Sequence, residues 1–342
     1  MRRKVRVAVL MGGRSSEHDV SVNSARSVIE SLDRRRYDVR AIEISREGRW
    51  ELAPERRPEL EAGERSRRLP VPGNGHPPEP LGEVDVVFPV LHGPFGEDGT
   101  VQGLLELADV AYVGSGVTAS ALCMDKDLFK SVMRDKRIPV VESVTLRARD
   151  ARPTASPFGF PVVIKPARLG SSVGITIARS SEELEHGVGL AFRHDEKILL
   201  EEYADGTEVE CSVLGNEDPL ASLPGEIVPL ASDWYDYSSK YDEGGMELIV
   251  PARIGEQATR RVQELAVASF VAAECEGMAR VDFFVREDGE VVVNEVNTIP
   301  GFTATSVYAK LFEASGIPYP ELLDRLVDLA LERRRRRAAL RY

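Results

Sequence analysis

Residues 280–297 read RVDFFVREDGEVVVNEVN. Val, Phe and Val flank Asp288-Gly289, and Asp-Gly is a strong two-residue hairpin turn. With those two residues as the loop, Asp282 stands opposite Glu295 and Arg280 opposite Asn297. Side chains alternate along a strand, so all four share one face. Like charges directly opposite destabilise a sheet. Either Arg280 bridges the acids on an ordinary surface, or a divalent cation sits between them. Two carboxylates and an amide oxygen suit Mg²⁺, which takes water and phosphate oxygens as further ligands. The pairing survives a symmetric four-residue loop and fails for a three-residue loop with a bulge.

A phosphate partner for such an ion is sought upstream. IKPARLGSSVG, residues 164–174, ends a strand at Lys165 and continues into a loop with Gly170, Ser171, Ser172 and Gly174. Backbone N–H groups, hydroxyls and a lysine can cradle phosphates. The lysine precedes the glycines, so this is not the P-loop order. Alone the loop is a weak signal. Beside a Mg²⁺-type hairpin it points to a nucleoside triphosphate.

Nearer the start, VRVAVLMGG is a strand entering a glycine turn, followed by a helical pattern through Val28, Ile29 and Leu32. YDVRAIEI and VDVVFPVLHG are further strands, TVQGLLELA is a helix and VAYVG a short strand. Alternating strands and helices give a parallel α/β domain. Glu17 and His92 then fall near the carboxyl ends of two strands, where open α/β sheets bind ligands. Residues 53–80 are rich in proline and charge and read as a surface loop. Residues 118–136 and 256–275 read as helices, and a last helix runs from Pro320. Arg333 to Arg337 read as solvated cations at its C-terminus.

The 342 residues are enough for two or three domains, and 42% hydrophobic with 29% charged is an ordinary globular composition. A net charge of −12 argues against nucleic acid or anionic membrane as a partner. No apolar run approaches the ~20 residues of a membrane span. Three scattered cysteines suit a reducing cytosol, so a cytoplasmic location is expected. VDVVFPVLHG lacks the G-x-G-x-x-G turn of a dinucleotide fold, which disfavours a nicotinamide oxidoreductase.

Together and in this order, GGRSSEHDVS, LHGPFGEDG, CMDK, VIKPARLGSSVG, EEYADGTEVE, YSSKY, ARVDFF and NEVNTIPGFTATS resemble the D-alanine–D-alanine ligases of the ATP-grasp superfamily. The likeness spans nearly the whole chain. It implies a three-domain α/β architecture: a Rossmann-like parallel domain over 1–114, a central ATP-grasp subdomain over 115–200 and a C-terminal one over 201–342. It implies ATP as co-substrate, two Mg²⁺ ions with Mn²⁺ as a substitute, K⁺ as a further candidate, and a homodimer. Lys126, Lys165 and Ser172 would hold phosphates. Glu201, Glu202 and Ala204 would line the adenine site, Tyr203 and Phe284 would sandwich the ring, and Glu208 would bond the ribose. Asp282, Glu295 and Asn297 would bind the two metals. Glu17 would hold the first D-alanine's ammonium and orient Ser171 and Tyr241, with His92 beside that substrate. Arg280 and the Gly301 N–H would stabilise the oxyanion. Lys240, Ser306 and Val307 would grip the second substrate's carboxylate. Glu202 departs from the lysine also found there. The Lys240-Tyr241 pair favours D-alanine over D-lactate as second substrate. The loops over 170–174 and 232–246 would act as lids. Other readings are a D-alanine–D-lactate or D-alanine–D-serine ligase and, in another class, a nucleotide-binding regulator without turnover.

Overall fold

Along VRVAVLMG, Val5, Val7, Val9 and Met11 point to one side of a sheet and Ala8 and Leu10 to the other. Such a strand must be covered on both faces. In the computed structural model, which describes residues 3–52, 84–150, 153, 155–230 and 245–340, this strand is β1 (Val5–Gly12), at the centre of a five-stranded sheet. β2 (Tyr37–Ile44) and β4 (Val86–Pro89) flank it in parallel. β5 (Ala111–Tyr112) adds in parallel beyond β4, and β3 (Trp50–Leu52) runs antiparallel at the other edge. Strand order reverses between β1 and β4, and a ligand crevice is expected at their carboxyl ends. Helix α1 (His18–Ser31) covers one face and α2 (Thr100–Leu107) the other.

The expected helix over 118–136 is two helices, α3 (Val117–Met124) and α4 (Lys126–Asp135). They break at Asp125, whose extended backbone lets its carboxylate accept from the Leu128 N–H. Aspartate is a preferred N-cap because it satisfies a donor that the helix leaves open. The break makes Lys126 the first residue of α4.

A second sheet is antiparallel, ordered β6 (Ser143–Arg147), β9 (Lys197–Glu202), β7 (Val162–Pro166), β8 (Thr176–Ala178), with α5 (Ser181–Ala191) packed on it. Ser180 caps α5 through the Glu183 N–H. The third sheet runs β13 (Met246–Ile249), β12 (Gly225–Pro229), β10 (Thr207–Gly215), β14 (Gly277–Val285), β15 (Val291–Asn297), with β11 (Leu220–Ala221) beside β10. Helix α6 (Gly255–Ala272) buries one face of it, with Val262, Leu265 and Phe270 against Val281, Phe283 and Val293. α7 (Val307–Ala314) lies on the other face, and α8 (Tyr319–Ala338) follows.

Helix α8 does not stay with its own sheet. Leu322, Leu323, Leu326, Val327 and Ala330 join Val7, Val9, Val86 and Phe88 in one core, beside α1. Its arginines correct the expectation of a solvated run. Arg333 is 3% exposed, donates to the carbonyls of Tyr112 (2.8 Å) and Gly114, and stacks on the Tyr112 ring at 4.2 Å. Arg336 and Arg337 both pair with Glu276. The side chains turn back onto β5 and tie it to the third sheet. The 53–80 loop lies outside the described residues. Among the described residues, no helix is long and apolar enough to cross a membrane.

Candidate active site

The decisive hairpin pairs as expected, yet through a three-residue loop with a bulge, the case in which the pairing was expected to fail. Arg280 faces Asn297 and Asp282 faces Glu295. The turn is not Asp288-Gly289 alone, however. Arg286 and Glu290 close it, leaving the three residues 287–289 as the loop, with Gly289 at φ +87°. That loop shifts the register by one, so Phe283 faces Val293 and Val285 faces Val291. Asn294 is then an extra residue, bulged out of β15, and the bulge restores the pairing at Glu295. A bulge re-aims side chains. Here Asn294 meets Lys165, whose ammonium donates to its amide oxygen at 3.1 Å.

The acids on this face are held by cations. Arg280 donates to both Asp282 oxygens at 2.7 Å and approaches Glu210 at 2.9 Å. Glu210 stands across from Asp282 on β10. Burial pulls the Arg280 guanidinium down, but Asp282 and Glu210 outweigh it and hold it firmly charged. Asn297 donates to Asp282 at 2.9 Å, and Lys126 lies 3.3 Å from Glu295. Arg280 therefore bridges Asp282 and Glu210, and the Glu295 charge adds to its hold. Asp282, Glu295 and Asn297 offer hard oxygen donors on one face, a set that fits Mg²⁺ or Mn²⁺. Among the described residues no three His, Cys, Asp or Glu side chains converge as a metal cage. That is compatible with an ion that borrows phosphate oxygens.

Between the second and third sheets lies a cleft of about 350 Å³. Lys126, Lys165, Ser172, Glu201, Glu202, Tyr203, Ala204, Glu208 and Phe284 all line it, with Ser171, Asn294 and Glu295. The Lys126 ammonium donates to the Leu169 carbonyl at 2.7 Å. The Glu202 carboxylate is taken by Arg286 at 2.6 Å and by the Glu142 N–H at 3.1 Å. Glu201 is 3% exposed and paired with Lys165 at 2.7 Å and Lys130 at 2.9 Å.

The first sheet meets this cleft at its switch point. Glu17 begins α1 but does not cap it with its side chain, which accepts from Ser171 instead. Ser171 and Ser172 sit at φ +52° and +58°, left-handed values that non-glycine residues rarely adopt. Gly93 is against Glu17: a Cβ there would come within 2.6 Å of its carboxylate. His92 is buried, and its Nδ1 donates to the Ile299 carbonyl at 3.0 Å. Its Nε2 is thereby a lone-pair nitrogen, and it has no partner among the described residues. Burial lowers the His92 pKa, against the pull of Glu17, so the ring is neutral. Downstream, Ser306 precedes α7 and accepts from the Thr303 N–H at 3.0 Å, with Gly301 adjacent. Val307 opens α7, where backbone N–H groups lack helical partners. Lys240 and Tyr241 lie outside the described residues.

Four residues escaped the sequence reading: Lys130, Glu210, Asn294 and Glu97. Lys130 is one helical turn from Lys126 on α4, a spacing that could have flagged it. Glu210 needs the β10–β14 pairing and Asn294 the bulge, which no local pattern announces. Glu97 keeps some surface, but its carboxyl sits deep beside Glu17 and accepts from the Gly93 N–H at 2.9 Å. Burial pushes this carboxyl up to about 8, and the Glu17 charge adds to the rise. The unfolded chain releases the same proton near 4.5. A pKa raised in the folded state favours the native state at low pH, an advantage lost as pH rises through the folded value. Glu97→Gln cannot titrate. It is expected to gain stability on the wild type steadily across that window and to hold a constant lead above it. Urea midpoints below, within and above the window measure this, and a gap independent of pH would contradict the raised value.

Family models described as D-ala D-ala ligase N-terminus and C-terminus match residues 6–115 and 132–328. The D-alanine–D-alanine ligase of Solibacter usitatus is 46% identical over 342 residues, covering 99% of each chain. The structure of the D-alanine–D-alanine ligase from Coxiella burnetii superposes with a TM-score of 0.84 at 38% identity, covering 98% of this chain and 96% of that one. The VanG D-Ala:D-Ser ligase of Enterococcus faecalis gives 0.81 at 36% identity, covering 96% and 100%. By both halves of its sequence and by its fold, the chain belongs to the D-ala D-ala ligase family.

Proposed function

We propose that the protein joins two D-alanine molecules to D-alanyl-D-alanine with hydrolysis of ATP to ADP and phosphate, supplying a precursor of peptidoglycan. The observation that carries this reading is the contact of Glu17 with Ser171. It brings the switch point of the first sheet, where an amino acid can be held, against the loop that closes the nucleotide cleft.

A carboxylate is a poor electrophile and must be activated. In this reading the first D-alanine's carboxylate attacks the γ-phosphate, and the second substrate's amine then displaces phosphate from the D-alanyl phosphate. Both steps develop negative charge, and phosphoryl transfer relies mainly on positioning and electrostatics. Glu17 holds the first ammonium, with the buried lone pair of His92 Nε2 beside it. Lys126 and Lys165 hold phosphates. Arg280 and the Gly301 N–H face the developing oxyanion. Ser306, the start of α7 and Lys240 take the second carboxylate, and Tyr241 completes the Glu17–Ser171 group. Asp282, Glu295 and Asn297 hold Mg²⁺, which when bound neutralises phosphate charge. An acyl phosphate is lost to water, so the 170–174 loop serves as a lid. We assign the first 114 residues to the amino-acid domain, 115–200 to the phosphate-loop subdomain and 201–342 to the metal-bearing one. A cytoplasmic homodimer belongs to the same reading.

The test is phosphate release with ATP, Mg²⁺ and D-alanine, with the product identified by mass. The VanG likeness makes D-serine the competitor to include. Dipeptide containing only D-alanine in an equimolar mixture is expected. ATP turnover without dipeptide would overturn the reading.

A further inference from the structure

Lys130 is the most deeply buried cation of the described chain, with a fully enclosed side chain. Its ammonium donates to the Val141 carbonyl at 2.9 Å and lies 2.9 Å from one Glu201 oxygen. The other Glu201 oxygen is 2.7 Å from Lys165. Burying a lysine is costly unless it is paired. A single lysine paired with Glu201 would already balance the charge, so the second needs a reason.

The reason lies in which member faces the cleft. Lys165 and Glu201 line it and Lys130 does not. With Lys165 and Glu201 alone, the cleft wall would present a neutral pair to an incoming polyphosphate. Lys130 behind Glu201 makes the trio net positive, and the surplus charge stands on Lys165. The third partner of Lys165, the Asn294 amide oxygen at 3.1 Å, orients it without altering that balance. We infer that Lys130 is a positioning residue for nucleotide binding, which neutralises Glu201 from behind so that Lys165 can spend its charge on the triphosphate. This rests on the nucleotide reading of the cleft. It assigns a task to a side chain that never touches the nucleotide. The low-lying Lys130 pKa, pulled by burial to about 8 although Glu201 opposes the shift, is consistent with an ammonium held in place by that one carboxylate.

The experiment compares affinities for ATP and for adenosine in one Mg²⁺ buffer by calorimetry. The ratio isolates the phosphate contribution, since fold damage or a disturbed adenine contact weakens both ligands. Lys130→Met leaves the neutral pair and is expected to lower the ratio on the order of tenfold, the size of one charge at roughly 10 Å with an effective dielectric of about 20. Lys130→Met/Glu201→Gln removes both buried charges and leaves Lys165 with its own. It is expected to restore the ratio to within about threefold of wild type. A merely structural role predicts an unchanged ratio in both variants, whatever stability they lose. An unchanged ratio in Lys130→Met, or a double variant as weak as the single, overturns the inference. Should Lys130→Met fail to fold, the double variant decides alone: a tenfold loss overturns the inference and a retained ratio supports it. A wild type that binds ATP no better than adenosine would sink the nucleotide reading itself, a distinguishable failure.

Discussion

Arg280→Ala is expected to lower kcat for phosphate release by about 10²–10³-fold, the usual cost of removing one donor to a developing oxyanion. The argument starts from where the guanidinium stands. It sits on the polar face of β14, between Asp282 and Glu210, with a charge those carboxylates secure against burial. An arginine fixed by two acids cannot swing, so it meets charge that develops in front of it without reorganising. Its removal also leaves Asp282 and Glu210 facing each other across the sheet, and like charges there repel. Loss of activity must therefore be separated from loss of fold. Thermal unfolding with and without Mg²⁺ does this, because an ion at Asp282 would offset part of the repulsion. Arg280→Lys keeps a charge but loses the fork, and should fall between the two. Near-normal turnover in a folded Arg280→Ala protein would remove Arg280 from the oxyanion assignment.

Arg333→Met should destabilise the protein by about 3 kcal/mol, each buried carbonyl left without a donor costing roughly 1–3 kcal/mol. Methionine can fill the space of the arginine stem, so the loss reports on the head group. That group satisfies Tyr112 and Gly114 and covers the Tyr112 ring. β5 is an edge strand, and unpaired edge groups need a partner or a cover. Glu276 keeps Arg336 and Arg337 in the variant, so it is not stranded. Urea unfolding gives the number. A neighbouring exposed arginine, Arg335, is the control, and equal effects at the two positions would contradict the burial argument. kcat should change little in folded Arg333→Met, since the contact lies at β5, outside the nucleotide cleft.

The alternation of valines made the strands of the first and third sheets legible, and the glycine turns marked where Glu17 and His92 would surface. The pairing of Asp282 with Glu295 was legible too, though through two errors that cancelled. A two-residue turn was assumed where three residues form the loop, and a bulge at Asn294 removed the difference. Turn chemistry is local, whereas a bulge is fixed by what the extra residue meets, here Lys165. The break at Asp125 was hidden because residues on both sides favour helix, and only the cap shows that one helix is two. The arginine run was misread for a similar reason. Charge in sequence suggests solvent, but burial depends on what the helix packs against, and α8 packs against a sheet from the other end of the chain.

That last packing orders events during synthesis. When the ribosome has made β1 to β5, the apolar face carrying Val7, Val9, Val86 and Phe88 still lacks Leu322, Leu326 and their neighbours. At about 5–20 residues per second, the nascent chain waits roughly 10–40 s for α8. Through that interval the first sheet is a half-covered, sticky surface, a natural client for a chaperone, and its closure waits for α8.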